Sequence, residues 1–250
     1  IFNIILQIFL IIAILVFLLT TNIKIVINNM SFYNYEFQKY EISKKTGIEQ
    51  KELLSVAKQI VDYFNNEEEE LKVKIWKNNV RVNNLFNSKE VLHMVDVKKL
   101  IRLVYILQSI TLIFIVGYLL ICFFILKESI FLIFNRLLFK SSITIITVII
   151  IAVFISFIGF EKAFLIFHEI SFTNDLWKLD PRKDYLVAIF PQGFFYETTI
   201  LIDIEITKTI LMLGRKTYTI YNDQQNVHNK DIDKSVEPIL QAVFSKNLDK

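Results

Sequence analysis

The sequence predicts an all-α polytopic membrane protein: four transmembrane helices, with a small external α/β segment between spans one and two. Three observations lead there. Of 250 residues 54% are hydrophobic and only 21% charged, with 5 Gly and 3 Pro, a balance too apolar for an ordinary soluble domain. Uncharged apolar runs long enough to cross a bilayer recur along the chain. The stretches between them carry the caps, turns and periodicities of folded segments. The net charge of +3 is small and the basic residues are scattered, so no nucleic-acid partner is expected. The single cysteine, Cys122, lies inside the run LLICFFIL, where an apolar setting leaves a thiol protonated and inert.

Residues 1–20 are the expected first span. Ile1 to Leu19 is interrupted only by Asn3 and Gln7, and at the helical rise it covers about 28 Å. It ends in Thr20-Thr21-Asn22 with no small-x-small cleavage site, the pattern of a retained anchor rather than a signal peptide. The chain opens on Ile1 rather than Met, so residues are expected before it. Residues 21–101 read as a folded external segment. Thr46-Gly47-Ile48-Glu49 has capping-box spacing, and Leu53, Leu54, Ala57, Ile60, Val61 and Phe64 follow at helical intervals. Glu67 to Glu70 reads as a solvated turn. LKVKIW and VRVNNLF alternate around Lys77-Asn78-Asn79, a hairpin pattern. Ser88 is placed to cap a helix, KEVLHMVDVKKL, that continues into the second span.

That span is expected over 102–126 and a third over 143–160. Between them, 127–142 (KESIFLIFNRLLFKSS) reads as a cytoplasmic interfacial connection. Residues 161–193 return to the external face. A fourth span, 194–213, contains Asp203, Glu205 and Lys208, and a charge at mid-bilayer costs about 2.5–3.5 kcal/mol on insertion scales. Glu205 and Lys208 are spaced to pair on a helix, although Ile202-Asp203-Ile204-Glu205-Ile206 would equally suit a half-exposed strand. Residues 214–250 form the expected cytoplasmic tail. Lys127, Arg136 and Lys140, and then Gly214-Arg215-Lys216, mark the cytoplasmic side. Lys98, Lys99 and Arg102 oppose that orientation, but long loops translocate largely regardless of charge.

The candidate chemistry lies in two external stretches. His93 and Asp96 share a helix face, with Glu90 a turn earlier, and a carboxylate beside an imidazole fixes its tautomer and raises its basicity. The other stretch, FHEISFTNDLWKLDP, opens with the first half of a zinc-protease signature. That signature needs a second histidine where this chain has Phe172. The third histidine, His228, falls in the tail. Two histidines and a carboxylate gathered across loops remain open as a metal site, but the expectation is no metal and no cofactor. On a helix, His168 shares its face with Phe164 and Phe172, so its imidazole should be kept neutral and able to accept a proton. An acidic partner would come from Asp175, Asp180 or Asp184. The plainer reading makes Trp177 and the phenylalanines an interfacial belt, with His168 a passive member.

Taken together, EVLHMVDVKKL and FHEISFTNDLWKLDPRKDYLVAIFPQGFF, in this order among the spans, resemble the bacterial lipoprotein intramolecular transacylase (Lit) family of four-span membrane enzymes. The resemblance runs from Ile1 to about Leu213; the tail and the charges of the fourth span depart from it. It implies that His93 and His168 are the functional histidines, with Asp96, Asn174, Trp177, Asp180 and Asp184 as supporting candidates. It also implies the reaction: the sn-2 acyl group of a diacylglyceryl-cysteine moves to that cysteine's own α-amino group, giving a lyso-form N-acyl lipoprotein. The implied partners are diacylglyceryl-modified lipoprotein N-termini and membrane lipid, and the implied location is the cell membrane with the site at its external face.

The residue inventory suits such a shift. The nucleophile is the substrate's own amine, tethered to the ester it attacks, and no Gly-x-Ser-x-Gly elbow is present. Oriented intramolecular reactions reach effective molarities of about 10⁵–10⁸ M. What remains is proton transfer and oxyanion stabilisation, which two histidines in different environments can divide. His168 is expected as base on the amine and His93, supported by Asp96, as the cation at the oxyanion; the reverse assignment stays open. Alternatives are an intermolecular membrane acyltransferase, a non-catalytic envelope-binding protein, and a transporter built around the charges of the fourth span.

Overall fold

The structure, a computed structural model, describes residues 2–126 and 159–212, with helical positions 144, 147, 150 and 151 between them. The expected connection 127–142 and tail 214–250, with His228, lie outside the described residues, and so does most of the expected span 143–160.

Helix α1, Phe2–Ile27, runs well past the expected end at residue 20. Thr20 Oγ1 donates to the carbonyl of Val16 at 2.7 Å and Asn22 Nδ2 to that of Leu18 at 2.8 Å. Both polar side chains are satisfied by their own helix and do not stop it. Asn29 then caps α2, Met30–Lys39, accepting from the N–H groups of Ser31 and Phe32. A short α3, Ile42–Thr46, ends on Gly47 in the left-handed conformation (φ 65°) that suits glycine as a helix terminator.

Helix α4, Gln50–Phe64, buries Leu53, Val56, Ala57, Ile60, Tyr63 and Phe64. The capping box read at 46–49 does not form. Thr46 Oγ1 donates back to Ile42, and Glu49 occupies the N-cap without a side-chain hydrogen bond. Glu67 to Glu70 are exposed. The hairpin forms as β1, Ile75–Lys77, and β2, Val80–Val82, paired antiparallel with Lys77 opposite Val80. Asn78 and Asn79 both take positive φ, 51° and 60°, as a two-residue type I′ turn requires and asparagine tolerates.

Helix α5, Ser88–Leu126, is one continuous rod of 39 residues, so the His93 segment and the second span are a single element. Its cap is Asn87, not Ser88: Asn87 Oδ1 accepts from the N–H groups of Lys89 and Glu90, and Glu90 Oε2 accepts from Asn87 N at 2.7 Å. This reciprocal pair is a capping box with asparagine in the cap. Further on come α6 (159–171), α7 (Tyr185–Ile189) and α8 (192–212).

Helices α1 and α5 are the two long and apolar enough to cross a membrane among the described residues. They pack together, with Gln108 Nε2 donating to Thr21 Oγ1 at 2.9 Å. Residues 194–212 are helical, so the strand reading is wrong. Glu205 and Lys208 pair at 2.6 Å, whereas Asp203 is buried with one carboxyl oxygen unpartnered among the described residues. A first core gathers α2, α3, α4, the hairpin, the start of α5, α7 and the start of α8 around Phe37, Ile42, Leu53, Ile75 and Ile189. A second joins α1, α5 and α8 through Leu10, Ile14, Ile115, Ile206 and Ile210. Thus segments 21–101 and 185–194 form one body at one end of the α1–α5 pair.

Candidate active site

Where the two cores meet, a cavity of about 370 Å³ opens between α1, α2, α5, α6 and α8. Its lining is overwhelmingly apolar: Ile23, Val97, Phe164, Phe194 and Ile202 form part of the wall, while His93 and His168 place two imidazoles in it. The volume lies within the range of small-molecule pockets, and the lining suits a hydrocarbon chain.

The rings of His93 and His168 are 6.3 Å apart, although 75 residues separate them in the chain. His93 enters from α5, in its second turn. It is 7% exposed, its Nδ1 meets no hydrogen-bond partner among the described residues, and the Phe172 ring stands edge-on at 5.1 Å. Burial, reinforced by the neighbouring His168, lowers its pKa to about 4. His168 comes from the end of α6, half-buried, where Phe164, Trp177 and Phe172 surround it at 4.4, 5.1 and 5.7 Å. Its Nδ1 lies 2.7 Å from the carbonyl oxygen of Phe164. A carbonyl can only accept, so Nδ1 carries the hydrogen and Nε2 keeps the free lone pair. Burial lowers the pKa of His168 too, with the Phe164 bond opposing.

Among the described residues no carboxylate hydrogen-bonds either ring. Asp96 acts on His93 through its charge, which raises the His93 pKa against burial, while its carboxylate accepts from Asn174 Nδ2 and from Lys99 Nζ, each at 2.9 Å. Burial alone would raise the Asp96 carboxyl, but those two donors hold it below its ordinary value. Glu90 accepts backbone N–H groups from Asn87 and, at 2.6 Å, from Leu186, tying the start of α5 to α7. Around His168 the acids are also engaged elsewhere. Asp175 pairs with Lys178, Asp180 with Arg182, and Asp184 accepts from Asn87 Nδ2 and from the N–H of Asp180.

The supporting candidates therefore organise the segment between α6 and α7. Asn174 closes a local turn by accepting from Leu176 N and reaches across to Asp96 on α5. Asp180 and Asp184 close the turn around Pro181, with Asp184 N donating to Asp180 O at 2.8 Å. Trp177 lies against His168 rather than serving only as an interfacial anchor. Residues that sequence reasoning passed over also shape the site. Phe167 and Thr198 line the cavity, and the Asn87-x-x-Glu90 spacing was a visible capping signal.

Comparison with known proteins agrees with this architecture. Residues 8–195 match the family model described as "Lipoprotein intramolecular transacylase Lit". No curated protein sequence matches the chain. Among solved structures, the membrane-integral lipoprotein intramolecular transacylase Lit from Bacillus cereus superposes with a TM-score of 0.70 at 20% identity, covering 91% of this chain and 97% of that one. Two variants of that protein, carrying alanine or arginine in place of one histidine, superpose with TM-scores of 0.70 at 18% identity. They cover 88% and 89% of this chain and 94% and 93% of theirs. With the family model matching most of its length, this chain belongs to the Lit family of lipoprotein intramolecular transacylases, membrane acyltransferases.

Proposed function

We propose that the protein moves the sn-2 acyl chain of a diacylglyceryl-cysteine lipoprotein to that cysteine's α-amino group, with His93 and His168 as the proton-handling residues. The observation that carries this reading is the meeting of two neutral imidazoles, 6.3 Å apart, in the wall of an apolar cavity. The acyl chain fills the cavity and the glyceryl ester lies between the rings. His168, with Nδ1–H committed to Phe164, presents Nε2 as the base. His93, held neutral by burial, acts as a hydrogen-bond donor to the oxyanion rather than as a cation. A neutral imidazole can serve as such an electrophile when its pKa is depressed.

The amine nitrogen attacks the ester carbonyl carbon while His168 takes a proton from it. The tetrahedral oxyanion is held by His93. As the bond from the acyl carbon to the sn-2 oxygen breaks, the proton on His168 passes to that oxygen. One N–C bond forms, one C–O bond breaks, and the proton moves from nitrogen to oxygen, so no co-reactant is needed. Asn174, Asp96 and Trp177 keep the segment after α6 closed over the rings, and Asp180 and Asp184 hold its turn. The site faces outward from the bacterial cell membrane, with the chain crossing four times, the third crossing within 143–160 and the fourth along α8.

The test is mass spectrometry of an unlabelled diacylglyceryl lipopeptide incubated with the protein in vesicles of isotopically labelled phospholipid. The expected product carries two unlabelled chains, one now on the amine. A labelled chain on the amine would make the transfer intermolecular. An unchanged lipopeptide would refute the activity.

A further inference from the structure

The cavity beside the imidazoles ends against the second core. Helix α5 lines it from His93 to Ile101 and α8 from Phe194 to Ile202, while α1 contributes Ile23 from the opposite chain direction. Ile202 belongs to both regions: it faces the cavity and it packs against the second core. One turn further along α8, Ile206 is buried together with Leu10 and Ile14 of α1 and Ile115 of α5. Beyond Ile23, Gln108 Nε2 donates to Thr21 Oγ1 at 2.9 Å and ties α5 to α1. Thr198, one turn before Ile202, commits its hydroxyl to the carbonyl of Phe194 at 2.8 Å, so the wall above the floor stays apolar. Ile202 and Ile23 therefore form the floor of the cavity.

The floor gives the cavity a definite depth. His93 to Ile101, and likewise Phe194 to Ile202, is eight residues, about 12 Å at the helical rise. An all-trans hydrocarbon chain advances about 1.25 Å per carbon, the projection of a C–C bond of about 1.5 Å, so this depth takes about ten carbons. Volume gives a similar figure. A methylene fills about as much space as a water molecule in the liquid, about 30 Å³, so the cavity of about 370 Å³ holds about twelve. Phe167 and Phe195 line the cavity and are 46% and 38% exposed. The side of the cavity thus opens at the surface of α6 and α8, where the rest of a longer chain can leave.

We propose that Ile202 and Ile23 are specificity-determining residues of the transacylase: as the floor of the acyl seat they make it measure the migrating sn-2 chain, of which it takes about the first ten to twelve carbons. This role rests on the function proposed above. The chain arrives from lipid, where its methylenes are already out of water, so seating it yields little hydrophobic gain. Chains are distinguished by how well they fill the seat. A chain that is too short leaves a void, and unfilled volume is unfavourable in proportion to its size. Each missing methylene should lower kcat/KM about threefold. Carbons beyond the seat leave by the side and add nothing.

The test uses the full-length protein in detergent micelles and diacylglyceryl lipopeptides whose sn-2 chain runs from six to eighteen carbons at a fixed sn-1 chain. For the parent protein kcat/KM should rise about threefold per carbon and level off at about ten to twelve. A second series, with the sn-2 chain fixed and the sn-1 chain varied, should be flat. Ile202→Ala removes three side-chain carbons from the floor, so the rise should end about two to three carbons later, at about one methylene of space for each. Ile202→Phe adds three and should end it about as much earlier. Ile23→Phe brings the same bulk from α1 if Ile202→Phe fails to fold. A rise that has not ended by eighteen carbons, no dependence on length, or an end point unmoved in the folded variants would overturn the inference. A length dependence in the sn-1 series instead would also overturn it, because the seat would then hold the chain that stays behind. No conversion at any length would refute the proposed function, and this inference with it.

Discussion

Acidification should charge His93 only far below the ordinary imidazole range. The ring is 7% exposed, the Phe172 ring stands edge-on to it, and the charge of Asp96 offsets the burial only in part. Its pKa falls from the ordinary 6.5 to about 4, a gap equivalent to about 3 kcal/mol at 1.36 kcal/mol per pH unit. The unfolded chain takes up this proton near pH 6.5, while the folded chain resists it until about 4. The corresponding stability is present above 6.5 and lost as pH falls through 4. Imidazole NMR of the protein in detergent micelles, assigned with a His93→Gln variant, reads the titration directly. His93 should remain neutral at pH 5.5, and Phe172→Ala, by admitting water, should move its midpoint upward toward 6.5. A midpoint at or above 6.5 in the parent protein would refute the reasoning and return His93 to the role of a cation.

Glu90→Ala leaves two backbone N–H groups, of Asn87 and Leu186, without their acceptor; unfolding in denaturant should register a loss of about 2–6 kcal/mol, at about 1–3 kcal/mol for each stranded donor. Asn174→Ala severs the segment after α6 from Asp96 on α5, and steady-state kinetics should show conversion falling several-fold with the fold intact by circular dichroism. Asp203→Leu removes a buried, partly unpartnered carboxyl from α8. Its thermal midpoint should rise rather than fall, since unpaired polar groups among apolar side chains are unfavourable. A fall would mean that Asp203 has a structural partner.

The parts of the fold that could be read in the chain are those set by local chemistry. Asn78-Asn79 between alternating strands specifies a type I′ turn whatever surrounds it, and the hairpin sits there. The apolar face of α4 is periodic, and Leu53, Ala57, Ile60 and Phe64 of it are buried, while Leu54 and Val61 are half-buried and Val56 and Tyr63 join the core beside them. Boundaries were harder, because capping depends on which neighbour reaches a donor first. Thr46 turned back to Ile42, Asn87 took the cap read at Ser88, and Thr20 and Asn22 bonded within α1 instead of ending it. The two histidines could be singled out by residue type and family likeness, but their meeting depends on α5 and α6 coming together, which no local pattern encodes. Spacing placed Asp96 and His93 on one helix face, and the charge of Asp96 does act on His93, but the hydrogen bonds of Asp96 go to Lys99 and to Asn174, 78 positions away. Glu36 gave no signal as a buried acid, because its burial is visible only in three dimensions.

The most direct measurement of the central idea is conversion of a defined diacylglyceryl lipopeptide by the parent protein and by His93→Ala and His168→Ala, followed by mass spectrometry and compared at equal folded protein. Each substitution should lower the rate of acyl migration to the amine by about 10²–10⁴, the usual contribution of a general acid or base. Near-parent conversion by either variant would contradict the two-imidazole mechanism.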